Sequence, residues 1–237
     1  MASSLLRARI ERLEWSALAQ SLDDFGYATT PALLTPAECA ELTALYASDD
    51  LFRSRIDMAR YSFGSGEYKY FDRPLPALIQ ELRAGFYPRL APIASGWATR
   101  LGAAAFPEHL ESFLALCAGQ GQTRPTPLLL RYRAGDYNCL HQDLYGEVAF
   151  PIQMTFALSR LGADYSGGEF LLMEQRPRAQ SRGQAISLDM GQAVIFATRF
   201  RPVRGARGDY RVNMRHGVSR LLSGERYTLG IIFHDAK

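Results

Sequence analysis

Lysine is nearly missing from this chain: it occurs only at Lys69 and Lys237 among 27 basic residues. Any basic cluster is therefore an arginine cluster by default, and arginine content alone does not establish selection for phosphate. Cysteine is scarce too. Cys39, Cys117 and Cys139 are odd in number and widely spaced, and they form no C-x-x-C pair. This argues against a disulfide framework and against a cysteine-ligated zinc site. Cys139 reads as an ordinary small strand residue. No run of about 18 apolar residues exists, so no transmembrane helix is expected. Arg7, Arg9, Glu11 and Arg12 interrupt the N-terminal segment. It lacks the apolar stretch of a signal peptide, and a cytoplasmic location is expected. Internal repeats and low-complexity segments are absent as well, which argues against solenoid and fibrous classes.

What is present suits an ordinary globular protein. The chain has 237 residues, 47% of them apolar, and a net charge of only +3. That is enough for one sizeable core. The charge is unevenly placed. Arg199, Arg201, Arg204, Arg207, Arg211 and Arg215 crowd one stretch, with Asp209 the only acid among them. Arg176, Arg178 and Arg182 form a second cluster. Such clusters attract phosphate, and the general bias toward arginine is the competing explanation.

The first half reads helical. Leu5, Ile10, Leu13, Leu18 and Leu22 predict a helix over 4–24 that stops at Gly26. A short strand is expected from Tyr27 to Leu34. Thr35-Pro36-Ala37-Glu38 has the form of a capped helix start, and the helix should run through Tyr46. The glycine-punctuated aromatic segment from Tyr61 to Phe71 reads as a loop or hairpin. Helices are expected near 75–101 and 107–118. Beyond residue 122 the character changes to strand-like runs at 127–133, 150–158, 168–174, 184–188, 193–197 and 226–234. The expected organisation is a mainly helical support region over 1–122 and a β core over 123–237. The class is α+β, mainly β, a sandwich or jelly roll with flanking helices.

Three positions carry the chemistry. His141 and Asp143 stand two apart, so on a strand both point to one face. Alone this H-x-D pair is a weak signal. His216, far downstream beside another strand-like run, can complete the set. Two imidazoles and one carboxylate occupy one face of an octahedron and leave the rest open, which suits Fe(II) that must also hold a co-substrate and oxygen. Arg226, ten residues after His216, begins an alternating apolar strand. An inward arginine there needs an anion, and a guanidinium grips a carboxylate with two parallel bonds. His109 and His234 carry no assigned role.

H-x-D, a distant His and an Arg about ten residues later resemble the iron- and 2-oxoglutarate-dependent dioxygenase superfamily over roughly 126–235. Gly167-Gly168-Glu169-Phe170 resembles the turn and strand of its prolyl-hydroxylase-like members. Arg131-Tyr132 to His141-Gln142-Asp143 resembles the corresponding segment of AlkB-like nucleic-acid demethylases. Two features depart from that branch: Leu130 stands where those enzymes usually have Asn, and the His216–Arg226 spacing is shorter. Residues 167–178, with Ser181-Arg182, resemble bacterial oxygenases of this superfamily labelled as acting on damaged nucleic acid.

The resemblance implies a double-stranded β-helix with Fe(II), 2-oxoglutarate and O2 as cofactor set. It implies iron ligands His141, Asp143 and His216. Arg226 would hold the distal carboxylate of 2-oxoglutarate, with Tyr132, Thr228 and Ser219 on the co-substrate side and Asn138 as a lesser candidate. The products would be succinate, CO2 and a hydroxylated C–H bond. Two substrate classes lead. For alkylated nucleic acid, single-stranded or duplex, aromatics including Tyr68 and Tyr70 would line the pocket, and Arg176, Arg178, Arg182, Arg204 and Arg207 would hold phosphates. A protein or peptide side chain, such as proline, fits the ten-residue spacing. A small molecule is a third option, and a jelly-roll metal-binding sensor without turnover is a fourth.

Overall fold

The apolar spacing of the N-terminal segment produces helices, but tertiary packing decides where they break. In the computed structural model, which describes residues 2–237 and the side chains from Leu5 onward, α1 spans Ala2–Glu11 and α2 spans Trp15–Phe25. The single helix expected over 4–24 is therefore two. Between them the Trp15 indole N–H turns back to the Ile10 carbonyl at 2.9 Å, and its ring meets Phe86 edge-on. α2 ends at Gly26, which takes a left-handed φ of 79° and caps the Leu22 carbonyl. Of the strand expected over 27–34 only β1, Tyr27–Thr29, forms. Beyond it the N–H groups of Leu33 and Leu34 donate to the Gly191 carbonyl.

α3, Pro36–Ala44, opens with the reciprocal cap read from the sequence: the Glu38 N–H donates to the Thr35 hydroxyl, and the Thr35 N–H donates to the Glu38 carboxylate. That carboxylate also takes two hydrogen bonds from the Arg9 guanidinium. One side chain thus caps α3 and ties it to α1.

The remaining elements, in chain order, are β2 (Phe52–Asp57), β3 (Gly64–Ser65), β4 (Glu67–Phe71), α4 (Ala77–Arg100), α5 (Leu110–Gly119), β5 (Leu128–Arg133), β6 (Tyr137–His141), β7 (Ile152–Ala157), β8 (Tyr165–Gly167), β9 (Phe170–Gln175), β10 (Arg182–Ile186), β11 (Ala193–Ala197), β12 (Phe200–Gly205), β13 (Gly208–Val218) and β14 (Leu221–Ile231). They form two antiparallel sheets. The larger is ordered β1-β11-β7-β14-β5-β4-β2, with β8 attached to β14. The smaller is ordered β10-β9-β13-β6-β3, with β12 attached to β13. This is a double-stranded β-helix. Both sheets draw strands from either side of residue 122. The aromatic segment at 61–71 folds as the far arm of the β2–β4 hairpin, with β3 and a short 3-10 turn at its tip. Strands β2, β8, β12 and β13 were not expected, whereas β6 carries Cys139 and His141, both read as strand residues. His109 precedes α5 as its N-cap residue, and no side-chain cap is made there.

Alternation along β14 sets the use of the two faces of the larger sheet. Arg226, Thr228, Gly230 and Ile232 line an internal cavity, while Leu229, Ile231 and Phe233 are buried toward the helices. α4 covers that helical side: Phe86 packs on Phe156, and Tyr87 on Phe150 and Phe233. The buried Arg83 pins α4 to the C-terminal segment by donating to the Phe233 carbonyl and the Asp235 carboxylate. No helix among the described residues is long and apolar enough to cross a membrane.

The Arg9 contact, ahead of the Thr35 contacts, brings the Glu38 carboxyl down to about 2 although burial opposes it. A depressed carboxyl stabilises the fold above its unfolded pKa and loses that contribution as pH falls toward the folded value. Glu38→Gln keeps a capping side chain and removes the charge. We expect it to cost about 1 kcal/mol or less at neutral pH, since the pair is partly exposed. The difference from wild type should shrink between about pH 4.5 and 2, read by urea unfolding across that range. A pH-independent difference would show that the charge is not responsible.

Candidate active site

β6 and β13 lie side by side, and their register places His216 directly opposite His141. The strands approach closely there because Gly217 has no side chain: a Cβ would sit 2.6 Å from the Asn138 carbonyl oxygen. The two imidazole centroids are 4.2 Å apart. Asp143, just past the end of β6, inserts its carboxylate between them. His216 Nε2 lies 3.1 Å from Asp143 Oδ2, and His141 Nε2 lies 3.5 Å from Oδ1. One ligand atom from each of the three residues falls within 4.8 Å of the others.

Hydrogen bonds fix these groups. His141 Nδ1 is 2.7 Å from the Cys139 carbonyl oxygen, which makes it the protonated nitrogen and leaves Nε2 free. Gln153 Nε2 donates to Asp143 Oδ2 at 2.9 Å, and the Tyr145 hydroxyl donates to Oδ1 at 2.8 Å. Tyr70 in turn donates to the Tyr145 oxygen at 2.8 Å. Phe196 and Phe170 pack against the His216 ring at 4.7 and 5.9 Å.

Burial raises the Asp143 carboxyl, but the neighbouring imidazoles outweigh it and hold the carboxyl well below the usual carboxylate range. Burial lowers His216, and the nearby His141 adds to that. Burial pushes Tyr145 well above the ordinary phenol value, so it remains a donor. A carboxylate and a neutral imidazole are the forms that bind a divalent metal.

The triad opens into a cavity of about 290 Å³. Opposite it, Arg226 is 2% exposed. Its Nε and Nη1 have no hydrogen-bond partner, and no carboxylate among the described residues pairs with it. Its guanidinium carbon lies 5.7 Å from the Tyr132 ring centroid and 5.8 Å from that of Tyr165. A buried cation without an anion is costly, so this cavity is built to receive one. The Gly167–Gly168 turn makes room for it. Both glycines have positive φ, and a Cβ on Gly168 would sit 2.2 Å from Leu221 and 3.3 Å from the Arg226 side chain.

The donor set, the open cavity and the unpaired guanidinium fit Fe(II) and a dicarboxylate co-substrate. The cavity also gathers Tyr132, Thr228, Tyr68, Tyr70 and Asn138. Asn138 donates to the Tyr132 hydroxyl at 3.3 Å.

Other expected residues lie elsewhere. The Ser219 hydroxyl donates to the Glu169 carboxylate and accepts the Glu169 N–H, and it does not line the cavity. None of Arg176, Arg178, Arg182, Arg204 and Arg207 lines it either. Arg176 pairs with Glu174 and Arg204 with Asp209. Arg182 opposes Glu174 across β9 and β10. Arg178 is exposed between those strands, and Arg207 is exposed in the β12–β13 turn. His234 is fully buried, and its Nδ1 accepts the Phe150 N–H at 3.2 Å. Burial takes its pKa down to about 4. Tyr145 and Gln153 were missed. Tyr145 continues the alternation His141, Asp143, Tyr145 and was legible in principle, whereas Gln153 reaches Asp143 from β7 and leaves no spacing signal.

Fold and donor set define a non-haem Fe(II), 2-oxoglutarate-dependent oxygenase, an enzyme class that uses O2. Residues 66–236 match the Oxygenase-NA family, described as an oxygenase catalysing oxidative methylation of damaged DNA, and the chain belongs to this family. An uncharacterized protein of Mycobacterium tuberculosis, present in two strains, is 53% identical over 167 residues, 70% of this chain and 72% of that protein. The Pseudomonas putida prolyl-4-hydroxylase superposes with a TM-score of 0.57 at 14% identity, covering 94% of this chain and 100% of that one. An oxidoreductase of the 2OG-Fe(II) oxygenase family from Burkholderia pseudomallei gives 0.56 at 15%, covering 94% and 92%. At these identities the two structures speak to the fold alone.

Tyr145→Phe should leave the chain folded and weaken Fe(II) binding roughly ten- to a hundredfold, the usual effect of losing a hydrogen bond to a metal-binding carboxylate. Anaerobic Fe(II) titration measures it, and unchanged affinity would show that the phenol does not steer Asp143.

Proposed function

We propose that the enzyme demethylates alkylated nucleic acid by oxidation, with iron on His141, Asp143 and His216 and with Arg226 gripping the far carboxylate of 2-oxoglutarate. The observation that carries the clamp is the buried, unpaired guanidinium of Arg226 facing the triad across one cavity. A metal-binding sensor has no use for such a group. The family description supports nucleic acid as substrate.

With iron and 2-oxoglutarate bound, one atom of O2 ends in succinate, released with CO2, and the other in a hydroxyl on the substrate methyl group. The resulting hemiaminal releases formaldehyde and restores the base. In this scheme the chain orients the reactants and keeps water away. Thr228, two residues beyond Arg226 on the same strand face, and Tyr132, opposite Arg226 in register, flank the co-substrate. Asn138 fixes the Tyr132 hydroxyl. Leu128, Leu130, Met154 and Ile232 form an apolar wall that limits water near the iron. Tyr68 and Tyr70 border the space left for substrate.

The test is turnover of 1-methyladenine-containing single-stranded DNA, with succinate and formaldehyde measured for wild type and His141→Ala. Equal formation of both products, dependent on DNA and on His141, is the expected result. Slow succinate formation indifferent to DNA would redirect the substrate to a peptide, which the ten-residue His216–Arg226 spacing also fits, or to a small molecule.

The clamp has a separate signature in stability. Arg226→Met removes a buried charge that the protein alone leaves unpaired. It should stabilise the co-substrate-free protein by about 1–3 kcal/mol and abolish the rise in melting temperature that 2-oxoglutarate gives wild type. A destabilised variant that still responds to 2-oxoglutarate would place the clamp elsewhere.

A further inference from the structure

We infer that the outer face of the smaller sheet and the exposed Tyr61–Phe63 pair together form a track for single-stranded nucleic acid that delivers an unstacked base to the cavity. This deepens, and rests on, the nucleic-acid reading above. The strip draws on the two arginine clusters read from the sequence as attracting phosphate, although of the five arginines expected to hold phosphates only Arg178 is an unpaired member of it.

The sheet face follows from alternation on β13. Val212, Met214 and His216 are buried, and Arg211, Asn213 and Arg215 are exposed on the opposite side. Neighbouring arginines are neutralised: Arg176 and Arg201 share Glu174, and Arg100 and Arg204 share Asp209. Among the described residues no carboxylate pairs with Arg178, Arg199, Arg211 or Arg215. Beside β13, a surface concavity is lined by Gln175, Arg176, Arg178, Gln180, Arg211 and Asn213 with Pro177 and Ala179, and by no acid. Guanidinium and amide donors without a competing carboxylate match a phosphate backbone.

The strip leads to the mouth of the cavity. The Arg199 and Arg211 guanidinium carbons lie 4.5 and 5.7 Å from the Phe200 ring centroid. Gln142, which lines the cavity, donates to the Arg199 carbonyl at 3.2 Å and to the Met214 carbonyl at 2.8 Å.

The aromatic pair lies across β6 from this strip. β3, which follows Phe63 directly, pairs with β6 on the edge away from β13. Tyr61 and Phe63 are 56% and 47% exposed. Their rings stack at 5.5 Å and 22°. Ser62 between them has a left-handed φ of 58°. Phe63 also lines the cavity, and its carbonyl accepts the Cys139 N–H at 2.8 Å. Two stacked aromatic rings held in water at a cavity mouth present a platform for a base. A base still paired within a duplex could not reach the triad behind it.

The test is fluorescence anisotropy with unmethylated DNA of about fifteen nucleotides, single-stranded or duplex, and with an acidic peptide of equal charge. The protein is loaded with Mn(II) and 2-oxoglutarate. Arg211→Gln with Arg215→Gln should weaken strand binding and reduce the slope of log affinity against log salt by roughly 1.4, about 0.7 per lost phosphate contact. Tyr61→Ala with Phe63→Ala should weaken it roughly tenfold or more, with the slope unchanged. All four side chains are exposed, and melting temperatures verify folding. Strand affinity indifferent to either pair would overturn the track, as would duplex or peptide bound as tightly as the strand. Formaldehyde from methylated DNA together with such indifference removes the track and leaves the demethylase. No formaldehyde from any methylated strand, with binding as expected, removes the demethylase reading on which the track's delivery role rests.

Discussion

A guanidinium buried without a partner is the constraint around which the rest of the site is arranged. Arg226 is 2% exposed and makes no ion pair among the described residues, although the other two buried arginines there are paired with acids: Arg83 with Asp235, and Arg201 with Glu174. Leaving one such charge unpaired costs stability, and the cost makes physical sense when an anionic ligand completes it. The Gly167–Gly168 turn, the aromatic rings of Tyr132 and Tyr165 and the alternation of β14 all serve to hold that side chain in place.

The metal side follows the opposite principle, in which every charge is compensated. Asp143 lies between two imidazoles and accepts hydrogen bonds from Tyr145 and Gln153. The smaller sheet supplies both histidines, the larger sheet supplies Arg226 and Gln153, and the cavity is the space between. The two-sheet architecture therefore does more than bury apolar surface: it sets a prearranged pair of imidazoles and one carboxylate against a buried guanidinium.

The three metal-binding positions were legible because His141 and Asp143 stand two apart in sequence and His216 follows in recognisable order downstream; Arg226, the proposed clamp, was picked out by its place ten residues later. The strand bearing His216 was not. β13 carries Arg211, Asn213 and Arg215 on its outer side, so it reads as a charged, polar segment although its inner side is buried. The break between α1 and α2 was also hidden, because it depends on where the Trp15 ring packs. Gln153 reaches Asp143, and Tyr70 reaches Tyr145, from other strands, and such contacts leave no local pattern. Ion pairs divide the arginine clusters: Glu174 neutralises Arg176 and Arg201, Asp209 neutralises Arg204, and among the described residues no carboxylate pairs with Arg178, Arg199, Arg211 or Arg215. A count along the chain cannot separate the two groups.

The central claim is that Arg226 selects a second carboxylate on the co-substrate. The most direct measurement is calorimetric titration of the Mn(II)-loaded protein with 2-oxoglutarate and with 2-oxopentanoate, which keeps the keto acid end and the chain length and lacks the distal carboxylate. The account predicts binding at least a hundredfold weaker for 2-oxopentanoate, about 3 kcal/mol for a buried charge-assisted pair. Equal affinity for the two acids would contradict it.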